Sequence, residues 1–116
     1  MRITYKKRGI DGFTLVEIMV VIAIVGLLSA IAIPNFVKSR DAARRNACIK
    51  NLKTIDEAKH LWGIENAKNE SAFPTDADLV GLDKYIKAKP VCPSSGTYAY
   101  LTIGDTATCT IPGHSY

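Results

Sequence analysis

The most informative absence in this chain is that of charge, since no charged side chain occurs between Ile18 and Ile33. This excludes an ordinary surface helix there, because a helix facing water carries polar residues along one side. Residues 13–33 reach roughly 30 Å as a helix, the thickness of a hydrocarbon core. We therefore predict that this segment spans a membrane. Glu17 is its single charge, and a carboxylate costs about 2.5–3.5 kcal/mol in a membrane helix, so we expect it to be functional.

Glycine and proline are nearly absent from the next segment, where Gly63 is the single instance between Asn35 and Asn69. Their absence excludes a flexible linker. Apolar residues recur there at three- and four-residue steps, which is typical of an amphipathic helix. These residues are Ala47, Cys48, Leu52, Ile55, Ala58 and Trp62. The pattern predicts one long helix from about Thr14 to about Lys68.

Two residues within that helix disfavour a straight axis. Pro34 removes a backbone hydrogen bond and bends a helix, and Gly26 weakens one. We expect the helix to kink or locally unwind at these positions. It then consists of a membrane-spanning half, residues 13–33, and an amphipathic half, residues 34–69.

Histidine is scarce, which weakens the case for catalysis. The chain has two histidines, and His60 is the only one on the long predicted helix, twelve residues after Cys48. Twelve residues of straight helix separate them by roughly 18 Å, too far for a thiol–imidazole pair. His114 with Cys92 or Cys109 suggests a metal corner, but a disulfide with a surface histidine is the commoner outcome outside the cytoplasm. We expect no enzyme, no cofactor and no metal site.

Cysteine is also scarce, with three residues in the chain. Cys92 and Cys109 flank a predicted hairpin, and a disulfide between them would close a loop of about 18 residues and contribute roughly 3 kcal/mol. We predict this pair. A bridge from Cys48 to either residue, or no bridge, stays open because spacing alone does not choose the partners.

The C-terminal region, residues 70–116, changes character. A loop at Phe73 precedes a predicted short helix from Thr75 or Asp76 to about Tyr85. Its expected apolar face consists of Leu79, Leu82 and Ile86. Residues 97–103 and 106–111 are rich in β-formers around a Gly-Asp turn and predict a hairpin. The fold class is therefore α+β, with a long N-terminal helix and a small C-terminal domain.

Positive charge is concentrated at the start of the chain. The formal net charge is +4, and residues 1–12 contribute four basic side chains against one acid. A basic flank before an apolar segment favours a cytoplasmic N-terminus. A second basic group follows the segment and by itself favours the opposite orientation; it consists of Lys38, Arg40, Arg44 and Arg45. Interleaved acids and the lack of an aromatic platform make a solvated face or lipid headgroup contacts a better interpretation of it than nucleic-acid binding.

The first third of the chain resembles a known family. A short basic leader ends in Gly12, Phe13-Thr14-Leu15-Val16-Glu17 follows, and an apolar helix with Gly26 and Pro34 completes the pattern. This arrangement is similar to the signal and N-terminal helix of type IV pilins and type II secretion pseudopilins. The match extends to about residue 37.

The resemblance implies how such a chain is processed and assembled. A prepilin peptidase would cut after Gly12, remove the leader 1–12 and methylate the new Phe13 amine. Glu17 would pair with a Phe13 amine and set the register of a helical filament. The implied partners are further copies of the chain, minor pilins or pseudopilins, the peptidase, an inner-membrane assembly platform and membrane lipid. The implied location is the bacterial inner membrane, with the C-terminal domain outside the cytoplasm.

The short C-terminal region favours a pseudopilin of a type II secretion system over a pilin used for motility, adhesion or DNA uptake. Other classes stay open beside this one. An ordinary secretory signal cut after Ala32 would release a soluble protein. A plain membrane anchor or a membrane-anchored binding module would never polymerise. The mass of the mature chain tests the pilin-like class: a chain from Phe13 to Tyr116 plus one methyl group would support it, whereas an intact Met1 or a start at Ile33 would contradict it.

Overall fold

A computed structural model describes residues 2–6, 9 and 11–116. Residues 1, 7, 8 and 10 of the predicted leader lie outside the described residues. The chain divides into two compact units, one up to Val37 and one from Lys38 to Tyr116. We call them the N-terminal unit and the C-terminal unit and describe each by itself.

Helix α1 (Leu15–Glu65) is one 51-residue helix, so the prediction of one long helix is confirmed. It begins at a reciprocal capping box in which the Thr14 N–H donates to Glu17 at 2.9 Å and the Glu17 N–H donates to the Thr14 hydroxyl at 3.2 Å. It remains helical at Gly26 and through Pro34. The kink expected at these residues stays a prediction.

The C-terminus of α1 has the hydrogen bonds of a Schellman motif. Ala67 adopts a left-handed conformation with φ of 50°. The Lys68 N–H donates to the Gly63 carbonyl at 2.9 Å, and the Ala67 N–H donates to the Ile64 carbonyl at 3.4 Å. Glycine usually occupies this position. Because the residue here is an alanine, the sequence did not predict that the helix ends before Lys68.

The core of the C-terminal unit lies along one face of α1. All but one of the six residues of the predicted apolar stripe are buried, and Ala47 is the exposed exception. The stripe packs against residues of the C-terminal region, namely Leu79, Ile86, Ile103 and Ala107. The 3.6-residue periodicity therefore identified the correct face of the helix.

Helix α2 (Asp76–Leu79) is shorter than predicted. Val80 is extended, and the chain turns back so that the Ile86 N–H donates to the Leu79 carbonyl at 2.9 Å and the Gly81 N–H donates to the Ile86 carbonyl at 2.9 Å. The prediction of a helix to about Tyr85 was wrong, because this turn satisfies the backbone groups in place of helical bonds. Leu82 lies at the tip of the turn, 89% exposed, so its predicted burial was also wrong.

The predicted hairpin is present, with short strands. Strand β1 (Tyr98–Ala99) pairs antiparallel with β2 (Thr108–Cys109), and Tyr98 lies opposite Cys109. The strands were predicted to be longer. The ladder stops because Leu101 has a left-handed φ of 56° and because a buried lysine, Lys59, binds the carbonyls of Tyr100 and Thr102.

Candidate functional site: the N-terminal segment and the polar groups of the C-terminal unit

The carboxylate of Glu17 closes the first turn of its own helix. Its Oε2 accepts the Thr14 N–H at 2.9 Å, so an otherwise unpaired amide at the start of α1 has a partner. A negative charge in this position also interacts favourably with the positive end of the helix dipole. Within one copy of the chain Glu17 is therefore a capping residue. Sequence reasoning assigned it an assembly role and overlooked this local one.

The peptide bond between Gly12 and Phe13 lies outside regular structure and is open to solvent. Both residues precede α1 and are exposed. A Cβ added at Gly12 would meet no atom within 4 Å. A bond that the described residues leave uncovered is open to contact by another molecule. No contact among the described residues, then, accounts for a glycine at this position.

The N-terminal unit has an apolar surface that the described residues leave exposed. The most apolar 18-residue window of α1 has a mean hydropathy of 2.8, and none of that window is buried, so this helix has the length and composition to cross a membrane. Leu15 and Leu27, for example, are 78% and 71% exposed. Such a surface requires lipid or other apolar helices around it.

The three cysteines converge in the C-terminal unit, together with His114. The Sγ atoms of Cys92 and Cys109 are 3.8 Å apart and not bonded, and the Nδ1 atom of His114 is 3.6 Å from the Sγ of Cys92. Burial raises the pKa of the Cys48 thiol to about 12. Burial also acts to raise the pKa of Cys92, but the amides of Ser94 and Gly96 outweigh it and lower that pKa to about 6. The disulfide between Cys92 and Cys109 stays a prediction.

Comparison with known proteins connects the N-terminal segment to a family. Residues 7–33 match the prokaryotic N-terminal methylation motif. The chain is 30% identical to type II secretion system core protein G of Vibrio cholerae, over 89% of this chain and 78% of that protein. It is also 30% identical to type IV wide pilus major component PilA4 of Thermus thermophilus, over 93% of this chain and 76% of that protein. No solved structure matches the chain.

The chain belongs to the family of type IV pilins and type II secretion pseudopilins. The resemblance noted in the sequence is thereby confirmed, and so is the assignment of the chain to a family of structural subunits that are not enzymes. A 65-residue match at 48% identity to type IV major pilin protein PilA of Myxococcus xanthus, covering 56% of this chain and 30% of that pilin, adds a second relative named as a pilin.

A buried ion pair organises the C-terminal unit of this pilin-like chain. Lys59 is fully buried, and its Nζ donates to the carbonyls of Tyr100, Thr102 and Asp105 at 2.7, 3.0 and 2.5 Å. It also lies 2.8 Å from the carboxylate of Asp56. One ammonium thus holds the loop after β1 against α1.

The Asp56 carboxylate accepts two further hydrogen bonds besides its contact with Lys59. It accepts the Ala107 N–H at 2.9 Å and the hydroxyl of Tyr116, beside the Lys59 ammonium. Burial acts to raise the pKa of Asp56, but the hydrogen bonds from Lys59 and Tyr116 outweigh it and hold that pKa below 3.8. A sequence signal for this pair existed and was overlooked. Lys59 follows Ile55 by four residues and Leu52 by seven, which places it on the apolar face.

The acidic residues near α2 are engaged with protein groups. Asp76 pairs with Lys89 at 2.6 Å, and Asp78 accepts both the N–H and the hydroxyl of Thr75 at 2.8 and 2.6 Å. The hydrogen bond from Lys89 lowers the pKa of Asp76, and that from the Thr75 hydroxyl lowers the pKa of Asp78. Both carboxylates therefore stabilise the turn around α2.

Proposed function

We propose that this chain is made as a precursor, cut between Gly12 and Phe13, methylated on the Phe13 amine and assembled into a type II secretion pseudopilus. The exposed bond before α1, together with a match to a methylation motif over residues 7–33, is the observation that carries the proposal. The similarity to protein G of type II secretion systems over most of the chain supports the choice of filament.

Cleavage creates a cation close to Glu17 in the chain. The cut converts the Phe13 amide nitrogen into an amine, four residues before Glu17 and about one helical turn away. A carboxylate in hydrocarbon is tolerated when it meets a cation, and the mature N-terminus is the nearest one the chain can make. Between copies, the same pairing sets axial register, because it is satisfied at one offset of neighbouring helices only.

The exposed apolar surface of the N-terminal unit stabilises contacts between copies of the chain in the filament. In a membrane it faces lipid, and in a filament it packs against the same surface of other copies. Both surroundings are apolar, so transfer from lipid to filament does not expose the helix to water. We propose the inner membrane as the starting location, with the basic leader in the cytoplasm and the C-terminal unit outside it. The peptidase, an assembly platform and minor pseudopilins are the partners this pathway requires.

The mass of the mature protein tests the processing step. Purified from native membranes, the chain should have the mass of Phe13 to Tyr116 plus one methyl group. Gly12→Val should leave the leader attached, because a peptidase that requires an extended glycine would reject a branched side chain, whereas Gly9→Ala is the matched control and should be processed normally. A mature chain that begins at Met1 or Ile33 would contradict the proposal.

Two substitutions at one position separate the capping and assembly roles of Glu17. Glu17→Gln keeps an oxygen that can accept the Thr14 N–H but removes the charge, and Glu17→Ala removes both. We expect both variants to be cleaved and neither to form filaments, while Glu57→Ala, an exposed glutamate of the C-terminal unit, assembles as wild type. Normal filaments from Glu17→Gln would reduce Glu17 to a helix cap.

A pilus subunit is the second candidate, favoured by the similarity to PilA4 over 93% of the chain. Deletion of the gene distinguishes the two. A pseudopilin is required for the release of secreted proteins, whereas a pilus subunit is required for surface filaments. Loss of surface filaments with normal secretion would favour the pilus.

A further inference from the structure

Four side chains with metal-binding atoms meet at one point of the C-terminal unit. They come from separate places along the chain, Cys48 from α1, Cys92 from the loop before β1, Cys109 from β2 and His114 from the final turn. One ligand atom from each lies within 4.8 Å of all the others. The fold, and no local motif, brings them together.

Two of the distances between the four atoms fit those of ligands around one metal ion. With Zn–S bonds of about 2.3 Å and Zn–N bonds of about 2.0–2.1 Å, tetrahedral geometry requires S···S edges of about 3.8 Å and S···N edges of about 3.6 Å. The Cys92–Cys109 Sγ separation is 3.8 Å, and the Cys92 Sγ to His114 Nδ1 separation is 3.6 Å. These two of the six ligand–ligand distances match a tetrahedral zinc site, and the other four are no longer than 4.8 Å.

We propose that Cys48, Cys92, Cys109 and His114 bind one Zn²⁺ ion as a structural site. Three thiolates with one imidazole are an established ligand set for closed zinc sites, and soft sulfur ligands disfavour calcium and magnesium. Four protein ligands leave no open position, so the site is structural and not catalytic. The assignment differs from the expectation of no metal that sequence alone favoured.

Burial supports a site built for an ion. Cys48 and Cys92 are 0% and 2% exposed, and His114 is 8% exposed. A disulfide between Cys92 and Cys109 requires the sulfurs to approach to about 2.05 Å and would leave the third thiol and the imidazole buried without a covalent or metal partner. A zinc ion would bind all four groups, including Cys48, which a disulfide between Cys92 and Cys109 would leave unpaired.

The surroundings of the sulfurs resemble the outer shell of a metal site. The hydroxyl of Tyr98 donates to the Sγ of Cys48 at 3.5 Å, and Asn51 donates to that hydroxyl oxygen at 3.1 Å. Hydrogen bonds of this kind orient ligands and stabilise thiolates.

The backbone at Gly96 lies close to the sulfur atoms of Cys109 and Cys92. A Cβ added there would lie 2.6 Å from the Sγ of Cys109 and 3.2 Å from the Sγ of Cys92. The backbone can therefore approach both ligands only without a side chain at this position. Bound zinc would link the hairpin and the final turn to α1. This structural role does not depend on whether the chain assembles into a pseudopilus.

Metal analysis of the mature chain tests the site. The chain is purified in detergent without chelators, equilibrated with Zn²⁺ and then desalted. We expect about one zinc per chain and three reduced thiols, and a cobalt-loaded sample should show thiolate-to-metal charge-transfer absorption. A chain without zinc whose mass shows the loss of two thiol hydrogens would overturn the proposal in favour of the disulfide.

The two histidines provide matched variants. His114→Ala should lose stoichiometric zinc, whereas His60→Ala, at an exposed position of α1, should keep it. Equal zinc in the two variants would remove His114 from the ligand set. Trp62 fluorescence checks that His114→Ala is still folded, and the wild-type measurement decides the question if it is not. Glu17→Ala should keep zinc even where it abolishes filaments, so failure of the metal site and failure of the assembly proposal are distinguishable.

Discussion

The two units of this chain are stabilised in opposite ways, although a single helix, α1, continues from one into the other. Up to Val37, large apolar side chains are exposed, and none of the described residues buries them. From Lys38 onward, a cluster of apolar side chains is buried, and even a lysine is buried with its hydrogen bonds satisfied. The N-terminal unit depends on its surroundings, whereas the C-terminal unit carries its own core. Helix α1 is therefore helical in both units, but it contributes to a buried core only in the C-terminal unit.

Trp62 makes this comparison measurable. It is the single tryptophan of the chain and lies in the core of the C-terminal unit, so its fluorescence reports the unfolding of that unit. Substitutions in the N-terminal unit should leave this signal unchanged and act on filament assembly.

Removal of the buried ammonium should have the largest effect. Lys59→Ala leaves Asp56 and three carbonyls without their cation, and loss of one partner of a buried pair costs about 3–5 kcal/mol. Lys50→Ala, on the exposed side of the same helix, should change the free energy of unfolding by less than about 0.5 kcal/mol. Denaturant titration followed by Trp62 fluorescence measures both. Similar values for the two variants would show that Lys59 contributes no more than a surface lysine.

Truncation of one leucine in each unit contrasts the two environments directly. Leu52 is fully buried, so Leu52→Ala should destabilise the C-terminal unit by about 2–5 kcal/mol through lost burial and a cavity. Leu27→Ala should leave Trp62 unfolding within about 0.5 kcal/mol of wild type, since that side chain is 71% exposed. Its effect should appear in filament yield instead. A destabilised C-terminal unit in Leu27→Ala would show that the units are energetically coupled.

Acid should weaken the C-terminal unit through Asp56. The folded pKa of Asp56 is below its ordinary value of 3.8, so its ion pair contributes stability above pH 3.8 that is lost as the pH falls through the folded pKa. Asp76 and Asp78 have the same sign and add to the acid sensitivity. Asp56→Asn should therefore show a shallower loss of stability in acid than wild type, and Glu57→Gln, an exposed neighbour, should match wild type. Identical profiles for all three proteins would contradict this contribution of Asp56.

The smallest effect is expected from the caps of the two helices. Thr75→Ala removes the hydroxyl that donates to Asp78 and should destabilise the C-terminal unit by about 0.5–2 kcal/mol. Thr14→Ala removes the corresponding hydroxyl at the start of α1 and should leave Trp62 unfolding unchanged. Equal destabilisation by both variants would mean that the first turn of α1 supports the distant core.

The elements that sequence predicted correctly depend on local periodicity. The buried face through Leu52 and Ile55 follows from three- and four-residue steps, and the hairpin follows from β-formers around a turn. The errors arose where backbone groups found partners other than those of the predicted element. Lys59 binds carbonyls that would otherwise extend β1, and the turn from Val80 to Ile86 satisfies the amides that a longer α2 would have used.

The candidate sites divide in the same way. Gly12, Phe13 and Glu17 are adjacent in the chain, so a short linear pattern was sufficient to identify the family. The thiol cluster is assembled from residues up to 66 positions apart, Cys48 to His114, and no spacing rule connects them. A disulfide was the economical prediction from spacing because the position of Cys48 relative to the hairpin was unknown.

By itself, the sequence determined the membrane-length helix, its lone carboxylate and the family, because each depends on the order and polarity of neighbouring residues. Only the tertiary structure decided the partners of Lys59, the end of α2 and the meeting of three cysteines with His114. These features depend on which side chains come into contact after folding. Burial makes such contacts important for stability, because an unpaired ammonium or thiol costs little free energy in water and much in a core.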